Sequence, residues 1–227
     1  IVLTASAILT FGGTLVILAL EYTNPATLGG MPNELDKWMA AAFQAVTCRT
    51  AGFNTIDLTD MRASSLFFMV LLMGIGASPT STGGGMKTTT VLVLLVSTWG
   101  LLHGKRDTVL FDRRIASETV DKAYNVFTVC LLWMLGAYFL LLICDSGLHR
   151  ADYVLFEVVS AFATVGLGVG ITPDWNDWGK LILVLTMYAG RIGVLTFVLS
   201  FLHSKDDKIR YPSENIMTVS YTHLTLP

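Results

Sequence analysis

Charge is scarce in this chain. Only 14% of its 227 residues are Asp, Glu, Lys or Arg, where a soluble domain carries about 25%. That shortage excludes most cytosolic enzymes and any disordered, charge-rich tail. Cysteine is scarce too: Cys48, Cys130 and Cys144 are the only three, and none sits in a CxxC pair. An odd count without pairing motifs argues against a disulfide framework, so they read as small apolar packers in helices. The four histidines, His103, His149, His203 and His223, fall in no HExxH or other ligand spacing. No nucleophile–base pair and no pair of catalytic carboxylates stands out, so the chain does not read as an enzyme. A net charge of −2 provides no basic field for nucleic acid.

Apolar residues are what the chain has in excess. They make up 53% of it, with a mean hydropathy of +0.61, and they lie in blocks rather than in core stripes. A helix needs about 20 residues to cross a bilayer, and several blocks approach that length. The expected class is an all-α integral membrane protein. Residues 1–20 lack a positively charged leader, since the first Lys or Arg is Lys37, so they are no signal peptide. Without a starting Met, they read as a transmembrane helix cut at its N-terminus, hence as part of a fragment.

After a breaker stretch, TNPATLGGMPN, residues 33–47 form a short Ala-rich segment. Asn33, Glu34 and Asp36 favour a helix start there. CRTAGFNT (48–55) follows, then an apolar block (64–77), a Gly/Ser/Pro loop (78–90) and a second apolar block (91–103). The loop looks like a break inside one helix at membrane depth. A polar linker, 104–122, separates this half from a second: a span at 123–144, a short helix at 151–163, TVGLGVGITPD, and a span at 178–203.

The halves match without gaps at an offset of 114 residues. Thr50, Gly52 and Asp60 meet Thr164, Gly166 and Asp174, while Val70, Leu71, Met73 and Gly76 meet Val184, Leu185, Met187 and Gly190. Each half reads as span, short re-entrant helix, filter-like turn, span, and such repeats in membrane chains meet around a shared pathway. Lys105, Arg106, Arg113, Arg114 and Lys122 in the linker, with Lys205, Lys208 and Arg210 in the tail, place both in the cytoplasm by the positive-inside rule. The opposite side holds Glu34, Asp36, Asp57, Asp60, Asp145, Asp152, Glu157, Asp174 and Asp177, an acidic rim that concentrates cations.

Irregular backbone at membrane depth must line protein or water. Thr50-Ala51-Gly52-Phe53 and Thr164-Val165-Gly166-Leu167 are two such segments, each behind a short helix. A potassium filter turns backbone carbonyls inward to replace the hydration shell of the ion, and glycine adopts the backbone angles this requires. The helix ahead points its negative end at the cation. The sequence SPTSTGGGMKTTT fails as a phosphate loop, because Met86 rather than Gly precedes Lys87. It reads instead as a mobile obstruction in a pathway. Lys87 and Arg191 are cations in apolar surroundings, which are costly and usually functional. Lys87 has the alternative of snorkelling. Arg191, 13 residues from Trp178, is expected near the middle of its span, as a barrier. Glu157 and Asp121 read as helix caps, and Trp38, Trp99, Trp133, Trp175 and Trp178 as interface anchors.

RTAGFNTIDLTDM, GASPTSTGGGMKTTT, RRIASETV and TVGLGVGITPD followed by GRIG resemble the Trk/Ktr/HKT superfamily of potassium transporters, with the Ktr membrane subunits the nearest likeness. The resemblance covers about residues 1–217. It implies a pore of four span–filter–span repeats, with 1–103 as the third and 123–203 as the fourth, joined by linker 104–122 and followed by a tail, 204–217. It implies K⁺ uptake across a bacterial inner membrane through a multi-pass subunit, with Na⁺ as a candidate activating ion and no cofactor in the chain itself. Filter glycines would be Gly52 and Gly166. The gate would comprise Gly76, Ser78, Pro79, Ser81, Thr82, Gly83, Gly84, Gly85 and Lys87, opposed by Arg191. Implied partners are a second copy of the full-length subunit and a cytosolic, nucleotide-binding regulatory subunit of the RCK type. Two features depart from the family: the first two repeats are missing, and 218–227 reads as a non-native tail. The competing reading is a sodium-coupled symporter of a small organic solute built on broken helices.

Overall fold

The computed structural model describes residues 2–76, 78, 83–104, 108–110, 113–194 and 196–197. It is helical: α1 (Val2–Glu21), α2 (Glu34–Thr47), α3 (Ala63–Gly74), α4 (Thr88–Leu102), α5 (Ser117–Asp145), α6 (Ala151–Ala163) and α7 (Asp177–Ile192). Extended pairing among the described residues is limited to a two-residue antiparallel ladder in the linker, β1 (Val109–Leu110) with β2 (Arg113–Arg114), and an isolated bridge between Ile75 and Met86. Helices α1 and α5 are long and apolar enough to cross a bilayer, while α3 and α4 are shorter apolar helices.

The 114-residue offset carries over to the backbone. A 3₁₀ turn at Leu58–Asp60 precedes α3, and another at Thr172–Asp174 precedes α7. Helix α3 starts at Ala63 and α7 at Asp177, again 114 apart. Asn33 takes the N-cap position of α2, its side chain donating to the Asp36 carboxylate at 2.8 Å rather than accepting from the helix's own N–H groups.

Helix α6 occupies the centre, in contact with α3, α5 and α7, and every residue from Phe156 to Ala163 is buried. Burial on all sides suits a segment with Phe156, Val158, Val159 and Phe162 distributed around the helix. The end of α1 is tied to the start of α3 by Glu21, a fully buried carboxylate. It accepts from Asn24 Nδ2 and Thr27 Oγ1, both at 2.6 Å, from Arg62 N at 3.0 Å, and from the Ser65 hydroxyl. A buried carboxylate persists only when its acceptor capacity is filled, and four donors fill it.

Several sequence-based expectations need correction. Helix α5 begins at Ser117, so the last part of the 104–122 linker is helical and only the stretch before it is connection. Helix α7 stops at Ile192 because Gly193 takes φ +97°, and helical backbone resumes at Val194. The span expected at 178–203 is therefore interrupted, with 198–203 outside the described residues. Arg191 stands in the last turn of α7, where the negative helix end favours a cation, and not at the middle of an unbroken span. Glu157 lies inside α6 and Asp121 inside α5, while Arg150 and Ala116 hold the N-cap positions. Trp175 is buried, its Nε1 donating to Asp145 at 2.9 Å. Trp133 is half-buried along α5, edge-on to Phe197 at 5.4 Å. Trp38, Trp99 and Trp178 are exposed, as interface anchors are. Cys48 and Cys130 are buried and Cys144 is half-buried, all three unbridged.

The closest approach in the fold is between α6 and α7. A Cβ placed on Gly190 would overlap the Phe162 carbonyl. Overpacking of this kind costs about 1–3 kcal/mol when neighbours shift, and more when the obstacle is backbone. Gly190→Ala should therefore lower the thermal midpoint of the purified full-length protein in detergent by several degrees. Gly136→Ala in α5, where a Cβ meets open space, should leave it unchanged. Equal midpoints for the two variants would contradict this packing.

Candidate ion-pathway site

Each short helix ends in a turn whose backbone is held by side chains. After α2, Thr47 O accepts from Ala51 N and Gly52 N at 3.2 and 3.4 Å. The Thr47 hydroxyl donates to Phe53 O at 2.7 Å and accepts from Phe53 N at 2.9 Å. After α6, Thr164 N and Val165 N bond to Ala161 O and Ser160 O, and Ser160 Oγ donates to Leu167 O at 2.5 Å.

The two turns share one backbone signature. Thr50 and Gly52 have φ of +73° and +78°, Thr164 and Gly166 of +54° and +89°, and Ala51 and Val165 between them stay on the ordinary side. Glycine takes positive φ freely. A β-branched residue there is a genuine outlier, costs on the order of 1–3 kcal/mol, and is found where function demands it. Two threonines 114 residues apart carry the same strain.

The turns also touch. A Cβ on Gly52 would overlap the Val165 carbonyl oxygen and lie 3.4 Å from Gly166 Cα. The structure thus brings Gly52 and Gly166 together, backbone to backbone. Val165 and Leu167 bury their side chains, whereas Gly166, Ala51 and Phe53 are exposed. A cavity of about 540 Å³ opens beside the second turn, lined by Glu157, Ser160, Thr164, Gly166, Gly168 and Met187 among others.

The glycine loop packs against this second turn. Gly84 N donates to Thr164 Oγ1 at 2.8 Å, and a Cβ on Gly84 would come within 2.9 Å of Gly190 O. Gly85, at φ +73°, lies against Ala163, and Gly76 against Gly84 and Met86. A parallel bridge between Ile75 and Met86 closes the loop, and Lys87 Nζ donates to Gly83 O at 2.8 Å. Ser78 is half-buried. Pro79, Ser81 and Thr82 lie outside the described residues. Arg191 is exposed, next in sequence to the glycine that the loop contacts. Among the described residues no His, Cys, Asp or Glu cluster is arranged to hold a metal ion, so the oxygens offered along these turns are carbonyls and hydroxyls.

Residues 3–211 match the family described as TrkH, cation transport protein. The chain belongs to this family. It is 42% identical over 218 residues to the Ktr system potassium uptake protein B of Bacillus subtilis, covering 96% of this chain and 48% of that protein. It is 36% identical to the potassium/sodium uptake protein NtpJ of Enterococcus hirae, covering 96% of this chain and 49% of the relative. The chain spans about half the length of the curated relatives it matches. The crystal structure of the potassium transporter TrkH from Vibrio parahaemolyticus matches with a TM-score of 0.73 over 88% of this chain and 43% of that one. At 22% identity that match establishes a shared fold.

Two groups near the turns of this TrkH-family chain were not legible as site residues. Glu157 reaches behind the second turn, to Val169 N at 3.0 Å and Thr172 Oγ1 at 3.1 Å. His149 clasps the loop after α5 to the turn before α7, with Nδ1 at 2.6 Å from Asp145 and Nε2 at 3.3 Å from Asp174. Hydrogen bonding to Asp145, and then to Asp174, raises the His149 pKa against the opposing effect of burial. With its folded pKa above the ordinary value of about 6.5, the clasp contributes full stability below that value and loses it as pH rises through the raised one. The thermal midpoint of the full-length protein should therefore carry a His149-dependent fall as pH rises above the ordinary histidine value. His149→Gln should remove that component, and an unchanged pH profile would rule the clasp out.

Proposed function

We propose that the chain forms two of the filter segments of a gated potassium-uptake pore, with Thr50–Phe53 and Thr164–Leu167 supplying carbonyls to the ion. The observation that carries this reading is the repeated backbone signature in two touching turns. Neighbouring residues of opposite φ sign turn successive peptide groups to one side, which a carbonyl-lined pathway requires and an ordinary helix cap does not. The relatives' names supply the ion: potassium for the Bacillus protein, potassium and sodium for the Enterococcus protein. Both names and the family description speak for a cation and against the organic-solute symporter.

In this reading the chain contributes the third and fourth of four repeats in a multi-pass subunit of a bacterial inner membrane. The full-length subunit pairs with a second copy and docks on an RCK-type nucleotide-binding partner. The glycine loop and Arg191 form the gate below the filter, where the loop restrains Thr164. Sodium acts as an activating ion, not a cofactor.

The glycines provide the test. Gly52→Ser adds a Cβ against the Val165 carbonyl and forces a strained φ, while Gly166→Ser is strained through φ alone. In the full-length subunit, reconstituted in vesicles, both should lower the potassium-to-sodium uptake ratio, Gly52→Ser by more. A loss on the order of tenfold corresponds to about 1.4 kcal/mol, within the strain expected of such backbone. If neither substitution moved the ratio, the filter assignment would be wrong. Separately, Arg191→Ala or deletion within 81–85 should raise rubidium flux and weaken control by the regulatory partner. Unchanged or lower flux in both, with normal insertion, would leave the loop a packing element.

A further inference from the structure

The two turns differ in what stands behind them. At the 114-residue offset Glu157 corresponds to Phe43, Gly168 to Asn54 and Gly170 to Ile56. Phe43 is exposed, whereas Glu157 is buried within α6. Its two carboxylate oxygens are divided between Val169 N and the Thr172 hydroxyl. Gly168 is glycine for the same reason: a Cβ there would sit 3.0 Å from Glu157 Oε1 and 3.4 Å from Oε2. One turn further along α6, Ser160 fixes the Leu167 carbonyl. Glu157 and Ser160, three residues apart, share a helix face and together hold both ends of the segment that follows Gly166.

We infer that Glu157 is a positioning residue for ion selectivity, acting through Val169 and Thr172 to hold the carbonyls around Gly166 at a fixed spacing. The inference rests on reading 164–167 as filter. Neutral replacements do only part of this work. Gln keeps the volume and one acceptor oxygen for Val169 N, but its NH₂ group must donate to the Thr172 hydroxyl where the carboxylate accepted, and Ala leaves the buried Val169 N–H without an acceptor, a cost specific to that site. The first turn, held by the Thr47 hydroxyl and carbonyl with the exposed Phe43 in place of the buried carboxylate, is the softer of the two, so the rigidity that separates ions of different size resides in the second.

Glu157→Gln in the full-length subunit should lower the potassium-to-sodium uptake ratio by roughly tenfold, in line with disturbing a buried hydrogen-bond acceptor. The apparent KM for potassium should rise, while maximal flux stays within about twofold. Gly168→Ala, which pushes on the same carboxylate, should lower the ratio too. Its effect should shrink when combined with Glu157→Gln, because both act through one contact. Should Glu157→Gln fail to insert, Thr172→Val removes a single donor at the rim and should shift the ratio in the same direction by less. Correctly inserted variants with unchanged ratios, alongside a Gly166→Ser that does shift it, would overturn the positioning role and leave the filter standing. If Gly166→Ser also left the ratio unchanged, the filter reading would fall and this inference with it.

Discussion

Backbone packed directly on backbone around the C-terminal end of α6 is the constraint on which the rest depends. Gly190 of α7 lies against the Phe162 backbone, Gly85 against Ala163, and Gly84 against the Gly190 carbonyl and the Thr164 side chain. No residue with a Cβ reaches these distances without displacement, so three glycines from two separate elements converge on one helical turn. That convergence fixes where α6 ends and holds Thr164 in a backbone conformation it would not adopt alone. It also brings the second irregular turn within reach of the first. Dispersion across such dense contacts compensates for strain that no single contact could offset.

Polar groups then finish what packing begins. Turns outside helix and sheet leave N–H and C=O groups that water cannot reach at depth. Thr47, Ser160 and Glu157 are the side chains that fill those valences. They belong to the short helices themselves, so each turn is held by the element that delivers it. The long helices α1 and α5 contribute at their ends instead, through Glu21 and Asp145, whose bonds tie the outer loops down.

What the sequence revealed follows from what repeats locally. The paired turns, the start of α3 against that of α7, and the loop between α3 and α4 are written in contiguous motifs, and an offset of 114 residues exposes them. The two turns that the offset pairs lie in contact, Gly52 against Val165 and Gly166. Features that depend on one half alone were not legible. Glu157 has no counterpart in the first half, and a carboxylate six residues after an exposed Asp-Arg-rich start resembles an ordinary early-helix acid. Its partners at 169–172 become neighbours only once the turn folds back. Gly193 stops α7 through a single positive φ within a hydrophobic run, and apolar composition carries no signal for that. Trp175 beside acidic residues has the composition of an interface anchor, yet its ring is buried on Asp145.

The same convergence couples two parts that the sequence presents as separate. The loop after α3 donates from Gly84 to the hydroxyl of Thr164, the residue that opens the second turn, and the same loop glycine abuts Gly190, one residue before Arg191. Lys87 reaches back to Gly83, so any movement of α4 is transmitted to the loop through a bond at its own first turn. A displacement of α4 therefore cannot change the loop without changing what holds Thr164. Loop and turn are mechanically one unit in the second half, whereas the first turn rests on Thr47 and meets that unit where Gly52 lies against Val165 and Gly166. On the proposed reading of the turns as filter and the loop as gate, opening the pathway and softening the ion site are consequences of one motion, and the Glu157 carboxylate behind the second turn is the element placed to keep them apart.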